Sequence, residues 1–193
     1  GPPGAVYELP YDDRSHAQYR ATVHGRPVLG GYIARNVPYP ILNGVPVLTE
    51  LRSRPDRIVE TLAREDIVAQ PSLLGRGVEI LDAYDIRYVI LRRDGSIAPD
   101  DLADLQHALE ALLPADLIVH DDAAMRVYQI PRAPRSGVVV GLGVNWYGPE
   151  RRADTGQPFR WSNGNSTLAV TLLDAAPRTA TLTASLLSYN RPT

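Results

Sequence analysis

The chain has 193 residues, 44% of them apolar and 22% charged, values that demand a packed core and exclude wholesale disorder. A formal net charge of −2 excludes the basic excess with which a nucleic-acid surface displaces counterions, and no run of like charges marks a polybasic membrane patch. The absence of cysteine removes disulfides, thiolate metal ligands and a thiol nucleophile. All 20 basic residues are Arg, as a GC-rich genome favours. No stretch approaches ~18 consecutive apolar residues, so no membrane-spanning helix is expected, and no signal peptide is visible. Gly1-Pro2-Pro3-Gly4 reads as a linker without an initiator Met, and the chain reads as a piece of a larger protein.

In chain order, Ala5 to Leu9 reads as a strand ended by Pro10. From Tyr11 to about Arg54 the reading is irregular, because Pro27, Pro38, Pro40, Pro46 and Gly25, Gly30, Gly31, Gly44 interrupt regular elements. A short strand fits within it from Pro27 to Ile33. Pro55 opens a helix through about Asp66, and a second runs from about Ser72 to Tyr84, with Leu74, Val78 and Leu81 at helical spacing. Gly75 and Gly77 either weaken this helix or let it approach a neighbour closely. Tyr88-Val89-Ile90-Leu91 suits a central strand covered on both faces.

Pro99, Asp100 and Asp101 start the clearest helix, with Leu102, Leu105, Leu109 and Leu112 in one stripe and Pro114 as its stop. Asp116 to His120 and Met125 to Ile130 read as two strands joined at Asp121-Asp122. Pro131 to Pro134 forms a stiff linker. Beyond it, residues 137–144, 167–173 and 179–187 are strand-like, rich in Val, Thr and Leu. The expected fold class is α/β: a small mixed-sheet α/β domain over residues 1–133, followed at 134–193 by a partial, jelly-roll-like β-sandwich segment that the chain truncates. An incomplete sandwich leaves unpaired edges, which could pair in a dimer.

Two places carry candidate chemistry. The first is the polar stretch Asp12, Asp13, Arg14 and His16 after the first strand, where open α/β sheets bind ligands. Its carboxylates and imidazole would act as acid–base groups or metal ligands, or else form a solvated Asp/Arg-paired loop. Nearby, Gly30-Gly31-Tyr32 leads to Arg35, which would grip a phosphate or carboxylate bidentately or pair with a neighbouring acid. The second place is Trp146-Tyr147-Gly148-Pro149-Glu150 with Arg160-Trp161. Trp146 and Trp161 would stack on sugar rings while Glu150 and Arg160 bind hydroxyls; alternatively, the indoles anchor a core and Glu150 pairs with Arg160. Gly141-Leu142-Gly143 lacks the third glycine and the following helix of a dinucleotide fingerprint. His107 lies opposite the leucine stripe, and His120 lies at a strand end. No Gly-x-Ser-x-Gly elbow occurs. No cofactor and no resident metal are expected.

Val6-Tyr7-Glu8-Leu9-Pro10, Gly25-Arg26-Pro27-Val28, Gly30-Gly31-Tyr32 with Arg35, and the helix–strand unit Leu81 to Ile90 resemble the soluble C-terminal region of bacterial multi-pass membrane glycosyltransferase-like proteins of the lipid-linked-sugar type. The Trp146–Glu150 and Arg160-Trp161 pair resembles the β-sandwich segment that follows it. The resemblance implies an extracytoplasmic module, joined to a membrane through a missing part of the parent chain and assisting recognition of a glycan, lipid-linked sugar or acceptor. It implies no catalysis by this piece, since the family's catalytic acid lies between membrane helices. The alternatives from the residues themselves are an independent hydrolase using Asp12, Asp13 and His16, and a carbohydrate-binding module centred on the two tryptophans.

Overall fold

The computed structural model describes residues 3–11, 19, 22, 25–29, 42, 44–53, 73–142, 145–156, 158–173, 179 and 181. A four-stranded mixed sheet forms its centre. Strand β1 (Ala5–Leu9) runs parallel to β2 (Ile86–Arg92), which pairs antiparallel with β4 (Met125–Gln129), and β4 pairs antiparallel with β3 (Ile118–Asp121). The spatial order is β1-β2-β4-β3. Three α-helices accompany it among the described residues: α1 (Leu48–Ser53), α2 (Gly77–Ala83) and α3 (Pro99–Leu112). Two two-stranded antiparallel sheets follow, β5 (Val138–Leu142) with β8 (Leu168–Leu172), and β6 (Trp146–Arg151) with β7 (Pro158–Ser162). The fold is α/β, a small mixed sheet followed by antiparallel β structure.

The leucine stripe of α3 buries Leu105, Leu109 and Leu112, together with Ala108. Pro99 takes the first helical position, where its missing N–H had no partner, and Asp100 and Asp101 sit in the first turn. Pro114 then starts a short 3-10 turn, Ala115–Leu117, so β3 begins two residues later than its sequence pattern suggests. Asp122 turns the chain between β3 and β4 by accepting the N–H groups of Ala124 and Met125, each at 2.8 Å. The span read as one helix from Ser72 is a 3-10 turn, Leu74–Arg76, continued by α2. Gly77 explains why this region can lie where it does: a Cβ there would stand 2.6 Å from the Leu112 carbonyl oxygen. Gly77 is therefore the close-approach glycine between α2 and the end of α3.

Central strand β2 buries Val89 and Leu91 completely, while Tyr88 and Ile90 are half-buried. One face of this strand is thus covered more fully than the other; Arg26 stacks over the Tyr88 ring at 4.7 Å. Val6 bridges Val28 in parallel, the one described piece of the strand expected at 27–33. The helix expected after Pro55 and the strand expected at 179–187 lie outside the described residues, apart from Thr179 and Thr181.

The β5–β8 sheet packs on the core of the mixed sheet. Val139 and Leu173 belong to the same buried cluster as Tyr7, Leu9, Leu48, Leu81 and Leu109. A Cβ on Gly141 would lie 2.1 Å from the Gly44 carbonyl oxygen and 2.7 Å from Cδ of Pro46. This glycine, part of the failed nucleotide fingerprint, is a strand residue that lets two backbones touch. Tyr84 Oη and Thr171 Oγ1 share a hydrogen bond of 2.9 Å between the two sheets' surroundings.

Candidate functional site

The β6–β7 hairpin escapes a simple strand reading because Gly148 and Pro149 interrupt β6. The ladder tolerates them through an irregularity between Trp146 and Pro149, after which Glu150 pairs with Phe159. Strand alternation then sorts the side chains by face. Phe159 and Trp161 fall on one face, with rings edge-to-face at 5.3 Å and 89°. Glu150 lies on that face too, and Trp161 Nε1–H donates to Glu150 Oε2 at 3.2 Å. Phe159 and Trp161 are half-buried and Glu150 is exposed. Tyr147, earlier on β6, is 57% exposed.

Arg160 is on the other face. Its Nη1 donates to the Tyr147 carbonyl at 3.3 Å, and its charge is felt by Glu50 of α1. Glu150 and Arg160 are therefore separated by the hairpin backbone, and the sequence reading that paired them is replaced by a Trp161–Glu150 bond. Trp146 is anchored apart from Trp161 by its Nε1–H donating to the Thr167 carbonyl at 2.8 Å. Of the four residues proposed from the sequence, the structure brings Trp161 and Glu150 together. Phe159 joins them, and was missed. Its signal was the alternation Phe159-Arg160-Trp161, in which the chain's only Phe shares a strand face with a Trp.

An aromatic pair with an adjacent carboxylate can do specific chemistry. The ring faces carry negative quadrupole density and attract the weakly positive C–H groups of an apolar sugar face. The carboxylate accepts hydroxyl protons, and the indole N–H that it already holds fixes its position. An apolar ring pair beside an oriented acceptor suits a ligand with one apolar face and peripheral hydroxyls.

A second polar group surrounds the start of α1. Val47 precedes the helix with φ +75°, a left-handed conformation costly for a β-branched residue. Glu50, three residues on, accepts the Val47 N–H at 2.7 Å, the return half of a capping box. Burial raises the Glu50 carboxyl pKa; the N–H groups of Glu50 and Val47 and the Arg160 charge oppose this without cancelling it, leaving it above its ordinary value. Tyr7, fully buried on β1, donates its hydroxyl to the Leu48 carbonyl at 3.1 Å. Burial, then the Tyr11 charge, raises the Tyr7 pKa far above the usual phenol value. Arg52 stacks on Tyr11 at 4.8 Å. No sequence signal marked Glu50, since its role depends on the backbone of Val47.

Asp12, Asp13, Arg14, His16 and Arg35 lie outside the described residues. Among the described residues, no group of three or more His, Asp or Glu side chains converges as a metal site would. Also among them, no helix is long and apolar enough to cross a membrane. His107 is exposed, and His120 is exposed with Nε2 2.9 Å from Asp122 Oδ2.

No protein-family model matches the chain, and no curated protein or solved structure is significantly similar to it.

Proposed function

We propose that the chain is a non-catalytic, extracytoplasmic module of a membrane glycosyltransferase-like protein, and that it contributes to glycan or acceptor recognition through the outer face of the β6–β7 hairpin. One observation carries the reading: Phe159, Trp161 and Glu150 share a partly accessible face, with the carboxylate fixed by the indole N–H. That juxtaposition joins an apolar platform to an oriented acceptor, the combination that a sugar ring with one C–H face and peripheral hydroxyls requires. The membrane context comes from the sequence resemblance carried by Val6–Pro10, Gly25–Val28, Gly30–Tyr32 with Arg35, and Leu81–Ile90.

The test is a titration of the chain with neutral oligosaccharides, followed by tryptophan fluorescence and calorimetry. Saturable binding is expected, weakened about tenfold or more by Trp161→Ala, on the scale of a lost aromatic anchor, with no turnover of the sugar. Absence of saturation up to millimolar-order sugar, about −4 kcal/mol, would sink the recognition reading. Hydrolysis or transfer abolished by changing Asp12 and Asp13 would replace it with the enzyme reading. Fractionating the source cells tests the context separately: a membrane-bound band much larger than 193 residues is expected, and a soluble band of that size would refute it.

A further inference from the structure

The segment from Pro131 to Ser136 joins the mixed sheet to β5 without regular secondary structure. Composition alone makes it a proline-stiffened linker. The structure fastens it instead by charge. Asp82 on α2 and Arg87 on β2 are each 1% exposed and form an ion pair. Arg87 Nη1 donates to the carbonyls of Ile130 at 3.3 Å and Pro131 at 3.2 Å, where the segment departs from the sheet. The segment sends two more guanidinium groups back. Arg135 Nε lies 2.8 Å from Asp82 Oδ2, and Arg132 lies 3.4 Å from Asp82 Oδ1 and 3.0 Å from Asp85 Oδ1. The Ala133 N–H points to Asp82 Oδ2 at 3.4 Å.

One helical turn earlier, Glu79 accepts the Ser136 N–H at 2.6 Å and pairs with Arg76 at 2.8 Å. Arg76 in turn donates to the carbonyls of Ser136 at 2.9 Å and Val138 at 3.4 Å. The two carboxylates of α2 thus hold both ends of the segment.

We propose that Pro131–Arg135 is a releasable strap, with Asp82 as its latch and Ser136 as its fixed end. Asp82 and Arg87 both belong to the α/β part, so their pair persists without the strap, and no buried charge is stranded. Arg132 and Arg135, with 63% and 35% of their side chains exposed, return to water at small cost. The strap can therefore open as a local unit, while Val139 and Leu173 keep the β5–β8 sheet on the core. Opening frees Pro131 to Arg135, while Glu79 and Arg76 keep Ser136 and the start of β5 in place.

Limited trypsin digestion of the whole chain tests it, with mass spectrometry following the Arg132–Ala133 bond. In the wild type this bond should be cut slowly. Arg135→Gln removes a strap contact and leaves the Asp82–Arg87 pair; cleavage at Arg132–Ala133 should rise about tenfold, the effect of about 1.4 kcal/mol on the open population. Asp82→Asn should raise it on the order of 100-fold. Exchange of the Ser136 amide should remain slower than that of Ala133, since Glu79 still holds it. Should Asp82→Asn hasten cleavage evenly along the whole chain, it has unfolded the protein, and Arg135→Gln alone decides. Faster cleavage confined to Arg132–Ala133 in Arg135→Gln upholds the strap, and an unchanged rate overturns it.

Discussion

Single buried polar atoms set several local geometries in this protein. Tyr7 is fully buried, yet its hydroxyl reaches the carbonyl of Leu48, the first residue of α1. That bond ties β1 to a helix distant in sequence. Tyr7→Phe should cost about 1 kcal/mol, the usual net value of such a bond, since the carbonyl is left without this donor; urea denaturation with an unchanged m-value would measure it. A loss under about 0.3 kcal/mol would mean that the Leu48 carbonyl is satisfied another way. Glu50 and Val47 illustrate what composition hides. A valine at φ +75° has no sequence signature, and a glutamate three residues later is an ordinary helix residue until that backbone conformation gives it an N–H to accept. Trp161 and Glu150 were legible as candidates because their residue types suggest sugar chemistry. Their partnership was not, because it depends on the hairpin register that places Glu150 opposite Phe159.

Among the elements, those with strong periodic patterns were readable and those set by contact were not. The leucine stripe of α3 and the apolar run of β2 appear where the sequence puts them, since burying such a stripe dominates local preference. Helix α1 falls where the sequence suggests irregular chain: six residues give too few turns for a period, and Pro46 beside them suggests a break. Tertiary burial of Leu48 and Leu51 stabilises it instead. The β5–β8 sheet shows both sides of the matter. Its inner face packs Val139 and Gly141 on the core, while cross-strand pairs Val138–Leu172, Val140–Val170 and Leu142–Leu168 line the other face, where Leu168, Val170 and Leu172 are 36%, 53% and 47% exposed. Gly141→Ala should therefore be costly, about 2 kcal/mol or more, because its Cβ meets a carbonyl and a proline ring rather than a flexible side chain end. A thermal melt within a degree or so of wild type would show that β5 does not cross Gly44 so closely.

For the whole molecule, charge pairing at some carboxyls and burial at another couple stability to pH with opposite signs. At Asp82 burial raises the carboxyl pKa, but hydrogen bonds from Arg87 and the Ala133 N–H, with the Arg87 and Arg135 charges, bring it below its ordinary value. Arg126, then Gln106, lowers Glu110, and hydrogen bonds from Arg92 and Ser96 bring Asp94 to about 2. A carboxyl whose folded pKa lies below its unfolded value contributes stability above the ordinary carboxylate pKa of about 4, lost as pH falls through the folded pKa. Glu50 is the reverse: raised on folding, its contribution is complete below the unfolded pKa and lost as pH rises through the folded one. Denaturation midpoints should therefore fall as pH drops from about 5 to 3, and Glu50→Gln should gain stability relative to wild type as pH rises from about 4 to 7. A variant-to-wild-type difference independent of pH would contradict the raised Glu50 pKa. By itself the sequence determined the α/β class, the central strand and the long amphipathic helix, because these follow from short-range periodicity and composition. Only the tertiary structure decided which groups meet: Gly141 against Gly44, Arg135 on Asp82, Trp161 on Glu150 and Arg160 away from it. Those contacts join residues 11 to 97 positions apart, or turn on strand register, and register is fixed by packing across the whole core rather than by any local run of residues.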